Sequence, residues 1–390
     1  MIVIVAPYTG YLEHNVNLGA SKKIKFVVSS FSKISSEIVL VNSAHNESVN
    51  SDFVVRKIQL GDVAVTEIIL PTKRNKVFGK FSNLFDVPRL LDIIGKEGVP
   101  ELFWLYNGYA LEMAFAAQAR KRFSAPMILE FEDWHFSRSR GLSIKPVMDF
   151  VFWRNVVKHF SRVYAINSNV KSKVEPFCKD VFLLPGVVSK ALIDLQHVHL
   201  PFSDKGAPIH IGYFGGLSVE KGADIVLKLS ALLPAGYILH STGSGALSKD
   251  FALRSAESDG GFIYHGMVSD ERLNEIISKC DVILNPHTPI AEFEDGIFPF
   301  KVIEAIASGR LLISTKLSFK GFEGISRGVQ FVEHSPEAFK EAILKSGDVY
   351  EANKDAVQSS TLKSQELFGE YSFVKSLKQF VQRTGMTTVV

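Results

Sequence analysis

The stretch Ile211-Gly212-Tyr213-Phe214-Gly215-Gly216-Leu217-Ser218-Val219-Glu220-Lys221-Gly222-Ala223-Asp224 decides how the chain is read. A short apolar run, predicted as a buried strand over Ile209 to Phe214, enters two adjacent glycines, and a helix is predicted to begin near Gly222. Glycines without Cβ let backbone N–H groups approach a ligand closely. The helix start turns its positive dipole end on the same space, and Lys221 adds a mobile cation. The combination suits a phosphate or diphosphate. It is not a Walker A loop, because G-x-x-x-x-G-K-[ST] is absent, and Gly215-Gly216-Leu217 breaks the G-x-G-x-x-G spacing. A strand-to-helix turn that merely needs glycine is the competing explanation.

Working outward, short apolar runs alternate with helical patterns on both sides of this stretch. Before it, strands are predicted at Ile2 to Ala6, Ile38 to Asn42, Val65 to Leu70, Leu102 to Tyr106, Met127 to Glu132, Val163 to Ile166 and Val181 to Leu184. Helices are predicted over 20–36, 86–98, 108–122, 146–161 and 168–177. After it, strands are predicted at Tyr237 to His240, Phe262 to His265, Val282 to Asn285, Leu311 to Ser314 and Val329 to Val332. Helices are predicted near 222–233, 270–279, 300–308 and 335–346. This alternation predicts βαβ units and mostly parallel sheets. Residues 197–208, with two prolines, a glycine and an aspartate, read as a linker. The expected architecture is therefore two α/β domains, 1–200 and 201–370. A last amphipathic helix within 371–390 carries Phe373, Val374, Leu377, Phe380 and Val381 on one face, and it is free to dock back on the N-terminal domain.

Composition narrows the classes. Of 390 residues, 46% are apolar and 22% charged, which fits a globular protein and argues against disorder. No run of about 18 apolar residues exists, so a spanning helix is not expected. The opening Met1 to Ala6 reads as a first strand, not a secretory signal. Cys178 and Cys280, the only cysteines, build no disulfide framework or zinc site, so buried thiols and a cytoplasmic location are expected. Residues 1–200 hold 25 basic and 18 acidic side chains, a balance of +7, whereas 201–390 hold 19 and 23, a balance of −4. The basic half suits nucleic acid, an anionic membrane surface or a phosphate-bearing acceptor, or else carries solvated lysines.

Two further segments carry chemistry. In Phe298-Pro299-Phe300-Lys301-Val302-Ile303-Glu304-Ala305-Ile306-Ala307-Ser308-Gly309, a short helix closes on glycine. Glu304 stands among apolar or small neighbours, and its carboxylate suits the paired hydroxyls of a ribose. A surface pair with Lys301 at i, i+3 is the alternative. In Phe262-Ile263-Tyr264-His265-Gly266-Met267-Val268-Ser269, a strand ends at Gly266 and Ser269 is placed to cap the next helix. Backbone groups at Gly266 and Met267 could read a nucleobase edge.

Taken in order, these three segments resemble the donor half of the group 1 nucleotide-sugar glycosyltransferases, retaining enzymes of the GT-B architecture in which two Rossmann-like domains face across a cleft. The resemblance is close over residues 208–315. It implies that Gly215, Gly216 and Lys221 contact the donor diphosphate, that Met267 faces the base, and that Glu304 holds the ribose, with Phe300 and Lys301 beside it. It implies a nucleotide-sugar donor, a glycan or lipid-linked acceptor and retention at the anomeric carbon, in polysaccharide or glycoconjugate biosynthesis. No cofactor, metal or nucleic acid is implied. Two departures stand out. The family often has Arg where this chain has Gly216, and Gly296 stands where the sugar-facing Glu belongs, with Glu292, Glu294 and Asp295 nearby.

The N-terminal half is expected to face the acceptor. The loop after the first strand holds Tyr11, Glu13 and His14, at the carboxyl end where α/β sites form. Glu130, Glu132, Asp133 and His135 end the strand from Met127. Glu132, Asp133, Glu294 and Asp295 are the catalytic candidates, suited to sugar hydroxyls or a proton. Their carboxylates also invite a divalent ion, but Lys221, helix dipoles and backbone N–H groups can stabilise a leaving diphosphate without one. Lys73-Arg74-Asn75-Lys76 and Arg120-Lys121-Arg122-Phe123 mix basic and aromatic residues and suit peripheral contact with an anionic membrane. A nucleotide-sugar epimerase and a catalytically silent binding protein of the same fold are the alternative functions.

Overall fold

The computed structural model describes residues 1–8, 18–44, 52–71, 83–132, 134, 136, 145–195, 200–204, 206–288 and 298–385. The chain divides into two compact units. One comprises Met1–Pro185 with Glu370–Val390, the other Gly186–Phe293 with Pro299–Gly369.

The first unit is an eight-stranded sheet in the order β3-β4-β2-β1-β5-β6-β7-β8. The strands are β1 (Ile2–Ala6), β2 (Ile38–Asn42), β3 (Val54–Leu60), β4 (Val63–Ile69), β5 (Leu102–Tyr106), β6 (Met127–Phe131), β7 (Arg162–Ala165) and β8 (Val181–Leu183). β1, β2, β5 and β6 are buried at every position, the signature of parallel strands covered on both faces. Only β3 runs antiparallel, pairing with β4 through a tight turn at Gly61. Its sequence, Val-Val-Arg-Lys-Ile-Gln-Leu, is mostly exposed, which is why no apolar run announced this edge strand.

Helices α1 (Leu18–Ser32), α2 (Val87–Glu97), α3 (Ala110–Phe123), α4 (Lys145–Val156) and α5 (Ser168–Val174) connect these strands. The final helix, α13 (Glu370–Arg383), buries Phe373, Val374, Leu377, Phe380 and Val381, the five residues of its predicted apolar face. Phe373 packs against Phe26, Trp104 and Tyr164 at ring distances of 5.3, 5.7 and 5.6 Å. Arg162, buried at the start of β7, donates to the Ser376 carbonyl (3.2 Å) and hydroxyl (3.0 Å), is paired with Asp180 and lies 4.8 Å from the Phe380 ring centre.

The second unit is an all-parallel sheet in the order β11-β10-β9-β12-β13-β14. It comprises β9 (Ile209–Phe214), β10 (Tyr237–Thr242), β11 (Phe262–Tyr264), β12 (Val282–Asn285), β13 (Leu311–Ser314) and β14 (Val329–Phe331). Helices α6 (Lys190–Asp194), α7 (Ala223–Leu232), α8 (Ser248–Glu257), α9 (Asp270–Lys279), α10 (Phe300–Ala307), α11 (Pro336–Leu344) and α12 (Ser346–Phe368) complete it. Ser269 caps α9 by accepting the Arg272 N–H, as its position suggested.

The units meet at Pro185/Gly186, upstream of the 197–208 stretch read as the linker. Residues 186–195 and 200–204 are built into the second unit. Val188 pairs with Gly369, Arg310 donates to the Leu195 carbonyl, and Asp281 accepts the Phe202 N–H at 2.7 Å. Helix α12 shows little apolar period because only Tyr350, Val357 and Phe368 are large buried side chains along its length, and the rest of its buried face is small and polar. Ser360, Thr361 and Ser364 are buried there. Thr361 and Gln365 donate to the carbonyls of Ile306 and Ala307, both at 2.9 Å, and so fix the end of α10. Among the described residues, no helix is long and apolar enough to cross a membrane.

Candidate active site

Strand order reverses at β9 and β12 in the second sheet, the place where open α/β sheets form ligand sites at their carboxyl edge. The segment read as decisive leaves β9 there. Gly215 donates to the Thr242 carbonyl (3.2 Å), Leu217 to Ser244 (2.9 Å) and Gly243 to Gly266 (2.8 Å). The loops after β9, β10 and β11 are thus tied side by side. A Cβ on Gly243, which has φ of +124°, would lie 1.8 Å from the Gly215 carbonyl oxygen, so this layering requires glycine.

After Gly216 the chain makes one 3-10 turn, Val219–Lys221. Gly222, at φ of +75°, then turns it into α7, and a Cβ there would lie 1.8 Å from the Pro286 oxygen. The loop after β12 is pinned to the same turn. Thr288 donates its N–H to the Glu220 carbonyl (3.0 Å) and its hydroxyl to that of Val219 (3.2 Å). The Tyr213 hydroxyl is shared between the carbonyls of Gly216 (3.2 Å) and Lys221 (3.1 Å).

Two lysines flank the glycine pair. Lys301, in the first turn of α10, holds its ammonium 4.5 Å from the Tyr213 ring centre, a cation–π contact. A Cβ on Gly216 would lie 2.9 Å from Lys221 Nζ, and one on Gly215 4.0 Å from Lys301 Cδ. Lys221 thus occupies the space a side chain at 216 would need. Burial pushes the Lys301 ammonium down to about 7, and the charge of Lys221 adds to the effect. Among the described residues no carboxylate pairs with either lysine. Glu304 is half-buried one turn further along α10, and Phe300 is half-buried at its start. Met267 is 38% exposed, just beyond Gly266.

The structure therefore brings Gly215, Gly216, Lys221, Phe300, Lys301 and Glu304 to loops and helix starts of one sheet edge, with Met267 beyond the neighbouring strand. It adds His287, buried just after β12. Burial lowers its imidazole, and Lys301 and Lys221 push the same way while the Thr288 carbonyl and Glu220 oppose. Its place directly after a predicted strand at the reversal of strand order was the available signal.

In the first unit a second polar group gathers at the carboxyl ends of β5 and β6. Lys23 of α1, 1% exposed, pairs with Glu130 at 2.5 Å and with Glu132. The Tyr106 hydroxyl also donates to Glu132, whose N–H donates to Asn107 Oδ1 at 3.0 Å. Trp104 Nε1 donates to Glu130 at 3.2 Å. Burial raises the Glu130 carboxyl to about 7, with Lys23 opposing and Glu132 reinforcing. Burial alone would lower Lys23, but Glu130 and Glu132 outweigh it and hold the ammonium above its ordinary value. Glu132 retains 20% exposure. Lys23 was not a sequence candidate. The signal was its register with Val27 and Phe31 at i+4 and i+8, which sets a lysine on a buried helix stripe.

Tyr11, Glu13, His14, Asp133, His135, Glu292, Glu294, Asp295 and Gly296 lie outside the described residues, as does the run Lys73 to Lys76. Among the described residues, no group of three or more His, Cys, Asp or Glu is arranged to hold a metal ion. Cys178 and Cys280 are both buried and free.

Residues 208–346 match the family model for Glycosyl transferases group 1. No curated protein matches the sequence significantly. Among solved structures, sucrose-phosphate synthase from Thermosynechococcus elongatus is 13% identical with a TM-score of 0.68, each chain covered to 98%. A glycosyltransferase from Rickettsia africae is 14% identical with a TM-score of 0.66, again with 98% of each covered. Anabaena HepE in complex with UDP-glucose is 12% identical with a TM-score of 0.64, covering 98% of this chain and 100% of its own. At such identities the structural likeness speaks for the fold, and the family match for residues 208–346. The chain thus has the GT-B fold of these structures, and its residues 208–346 match the group 1 glycosyltransferase family model.

Proposed function

We propose that the protein transfers a sugar from a nucleoside-diphosphate sugar to a hydroxyl of a glycan or lipid-linked acceptor, with retention, in polysaccharide or glycoconjugate biosynthesis. The observation that carries this is the pair of lysines, Lys221 and Lys301, flanking Gly215 and Gly216 with no carboxylate partner among the described residues. Two like charges held this close repel, and a diphosphate between them relieves the repulsion. It also gains charge-assisted hydrogen bonds. Lys301 supplies a second phosphate cation in a chain that lacks an arginine at 216. HepE, crystallised with UDP-glucose, supports the same donor class.

In this reading Lys221, Lys301 and the N–H groups at the start of α10 stabilise charge growing on the leaving diphosphate. Glu304 accepts from the ribose hydroxyls and the Gly266–Met267 backbone meets the base. Glu132, aligned by Lys23, Tyr106 and Asn107, offers a fixed acceptor for sugar hydroxyls on the first unit. The basic balance of residues 1–200 suits an acceptor or membrane surface that carries phosphate.

The direct test is a thermal-shift panel of nucleoside-diphosphate sugars, since a ligand bound only by the folded state raises apparent stability. At least one donor should raise the melting temperature with a saturable dose response. It should then yield transferred sugar when supplied with lipid-linked and glycan acceptors. A panel in which no donor shifts the melting temperature overturns the proposal.

A further inference from the structure

One side-chain array in the second unit plays no part in the site as described. His210 on β9, His240 on β10 and His265 just after β11 form a continuous row. Strand alternation sets them on the sheet face opposite Ile211, Leu239 and Tyr264, which belong to or pack against the main apolar core. His210 Nδ1 lies 2.8 Å from His240 Nε2, and His240 Nδ1 lies 3.1 Å from His265 Nε2. The rings are near parallel, at 13° and 15°, with centres 5.2 and 5.4 Å apart. Covered faces of parallel sheets are ordinarily apolar, so three linked imidazoles there call for a reason.

Proton counting gives the row a collective property. Each N···N contact holds one hydrogen. With all rings neutral, a proton donated by His210 obliges His240 to donate to His265. If His240 instead donates to His210, His265 must donate to His240. The three tautomers are therefore coupled. A further proton on His240 makes both its nitrogens donors, and both neighbours must then accept.

The outer end of the row grips a specific loop. His265 donates its N–H to the Ser241 carbonyl (2.9 Å), Gly243 donates to Gly266 (2.8 Å), and the Tyr264 hydroxyl donates to the Gly243 carbonyl (2.8 Å). Tyr264 and His265 thus clamp the turn at Gly266, which has φ of +69°, to the end of β10 from opposite faces. Gly243 in turn packs on Gly215. A displacement at 265 is transmitted both to Met267 and to the glycine pair.

We propose that the His210–His240–His265 row is a positioning device for the Gly266–Met267 loop, so that His240 governs affinity for the nucleobase of the donor without touching it, and that protonation of the row loosens the loop. This rests on the reading of that loop as the base-facing one. The charged surroundings fit. Burial pushes His240 down to about 4, with His210, His265, Lys279 and Arg272 acting in the same direction. Burial also lowers His265, together with Arg272 and Lys279 of α9. The nearby carboxylate, Asp281, accepts the His210 N–H at 2.8 Å and engages the backbone end of the row. A proton added to the row meets the charges of Lys279 and of Arg272, the latter paired with Glu275 at 2.6 Å, and a loosened row is the lower-energy response. Coupled polar networks of this kind specify one arrangement while satisfied and lose it when disturbed.

The test measures binding of UDP, ADP, GDP and inorganic pyrophosphate by calorimetry to the wild type and to His240→Phe, which keeps a ring and removes both contacts. At pH 7.5 the variant should bind the preferred nucleotide about tenfold more weakly, a difference of roughly 1.4 kcal/mol, and pyrophosphate unchanged. On acidification to pH 4, near the His240 value, the nucleotide-to-pyrophosphate affinity ratio should fall about twofold in the wild type and stay flat in the variant. That ratio largely cancels ionisation of the ligand phosphates. Equal ratios in both proteins overturn the proposal. A parallel loss for nucleotide and pyrophosphate also overturns it, by assigning His240 to general stability. Should the variant fail to fold, the wild-type ratio decides alone, and a constant ratio overturns the proposal. Wild type that binds no nucleotide more tightly than pyrophosphate removes the base-loop reading, and the proposal with it.

Discussion

Both sheets place lysine at their carboxyl edge, and they treat its charge in opposite ways. In the first unit Lys23 is almost fully buried and satisfied by Glu130 and Glu132. In the second, Lys221 and Lys301 flank a glycine pair, and burial, with the charge of Lys221, lowers the Lys301 ammonium to about 7. A paired buried ion contributes little net stability but is costly to break. A pair of like charges stores repulsion that an anion can relieve. The first arrangement fixes a carboxylate in place, and the second is the one proposed above to take a diphosphate. Lysine alone says little about function; the charge of its neighbours says much more.

The largest expected effect breaks the second arrangement. Lys221→Ala should weaken nucleoside-diphosphate binding by roughly 1.5–3 kcal/mol, the range for hydrogen bonds to charged groups, or about tenfold to a hundredfold. Binding of the bare nucleoside should change little. Calorimetry with UDP and uridine, or the matching pair for another base, separates the two. A uniform loss for both ligands would mean that Lys221 supports the loop and not the phosphates.

The contrast also explains what the sequence made legible. All six strands of the second sheet follow from short apolar runs. Gly215, Gly216, Lys221 and Glu304 were singled out by turn chemistry and spacing, and Lys301 by the family resemblance. Those signals are local, carried by residues within a few positions of each other. Lys23 meets Glu130 and Glu132 across more than a hundred residues, and His210, His240 and His265 meet across three strands. Only the register of the folded sheets joins them. The edge strand β3 and helix α12 escaped for another reason. β3 buries little, and the three large buried side chains of α12, Tyr350, Val357 and Phe368, are spread over 23 residues among small polar ones, so periodicity in hydrophobicity had little to register.

Proton linkage sharpens the comparison further. The Lys301 ammonium sits at about 7 in the free protein, below the ordinary 10.5. A bound diphosphate favours its charged form and should raise it. Binding above pH 7 should therefore take up a proton, and affinity should fall as pH rises between about 7 and 10.5, by at most roughly tenfold per pH unit. Calorimetric titration in buffers of different ionisation enthalpy counts the proton directly, and Lys301→Arg, charged throughout this range, should abolish the uptake. Identical proton uptake in Lys301→Arg would move the linkage to another group.

The smallest expected effect on the ligand comes from the paired arrangement, where the readout is stability. Burial, against the opposing Lys23, pushes the Glu130 carboxyl up to about 7 in the folded protein, above the ordinary 4.5. Between those values the folded state holds a proton that the unfolded chain releases, so this group favours folding at the acid end. That contribution is lost as pH rises through the window, by at most about 1.4 kcal/mol per pH unit. The lowered histidines, His240, His265 and His287 among them, act in the opposite sense, since they resist the proton that the unfolded chain accepts. The informative quantity is therefore the difference between wild type and Glu130→Gln in urea unfolding at pH 5, 6 and 7. Glutamine keeps the shape and cannot titrate, so the difference should grow with pH in the variant's favour, with UDP affinity unchanged. A difference that stays constant across this range would mean that Glu130 is ionised throughout. The first unit would then hold its lysine between two permanent carboxylates, with a net negative charge behind Glu132.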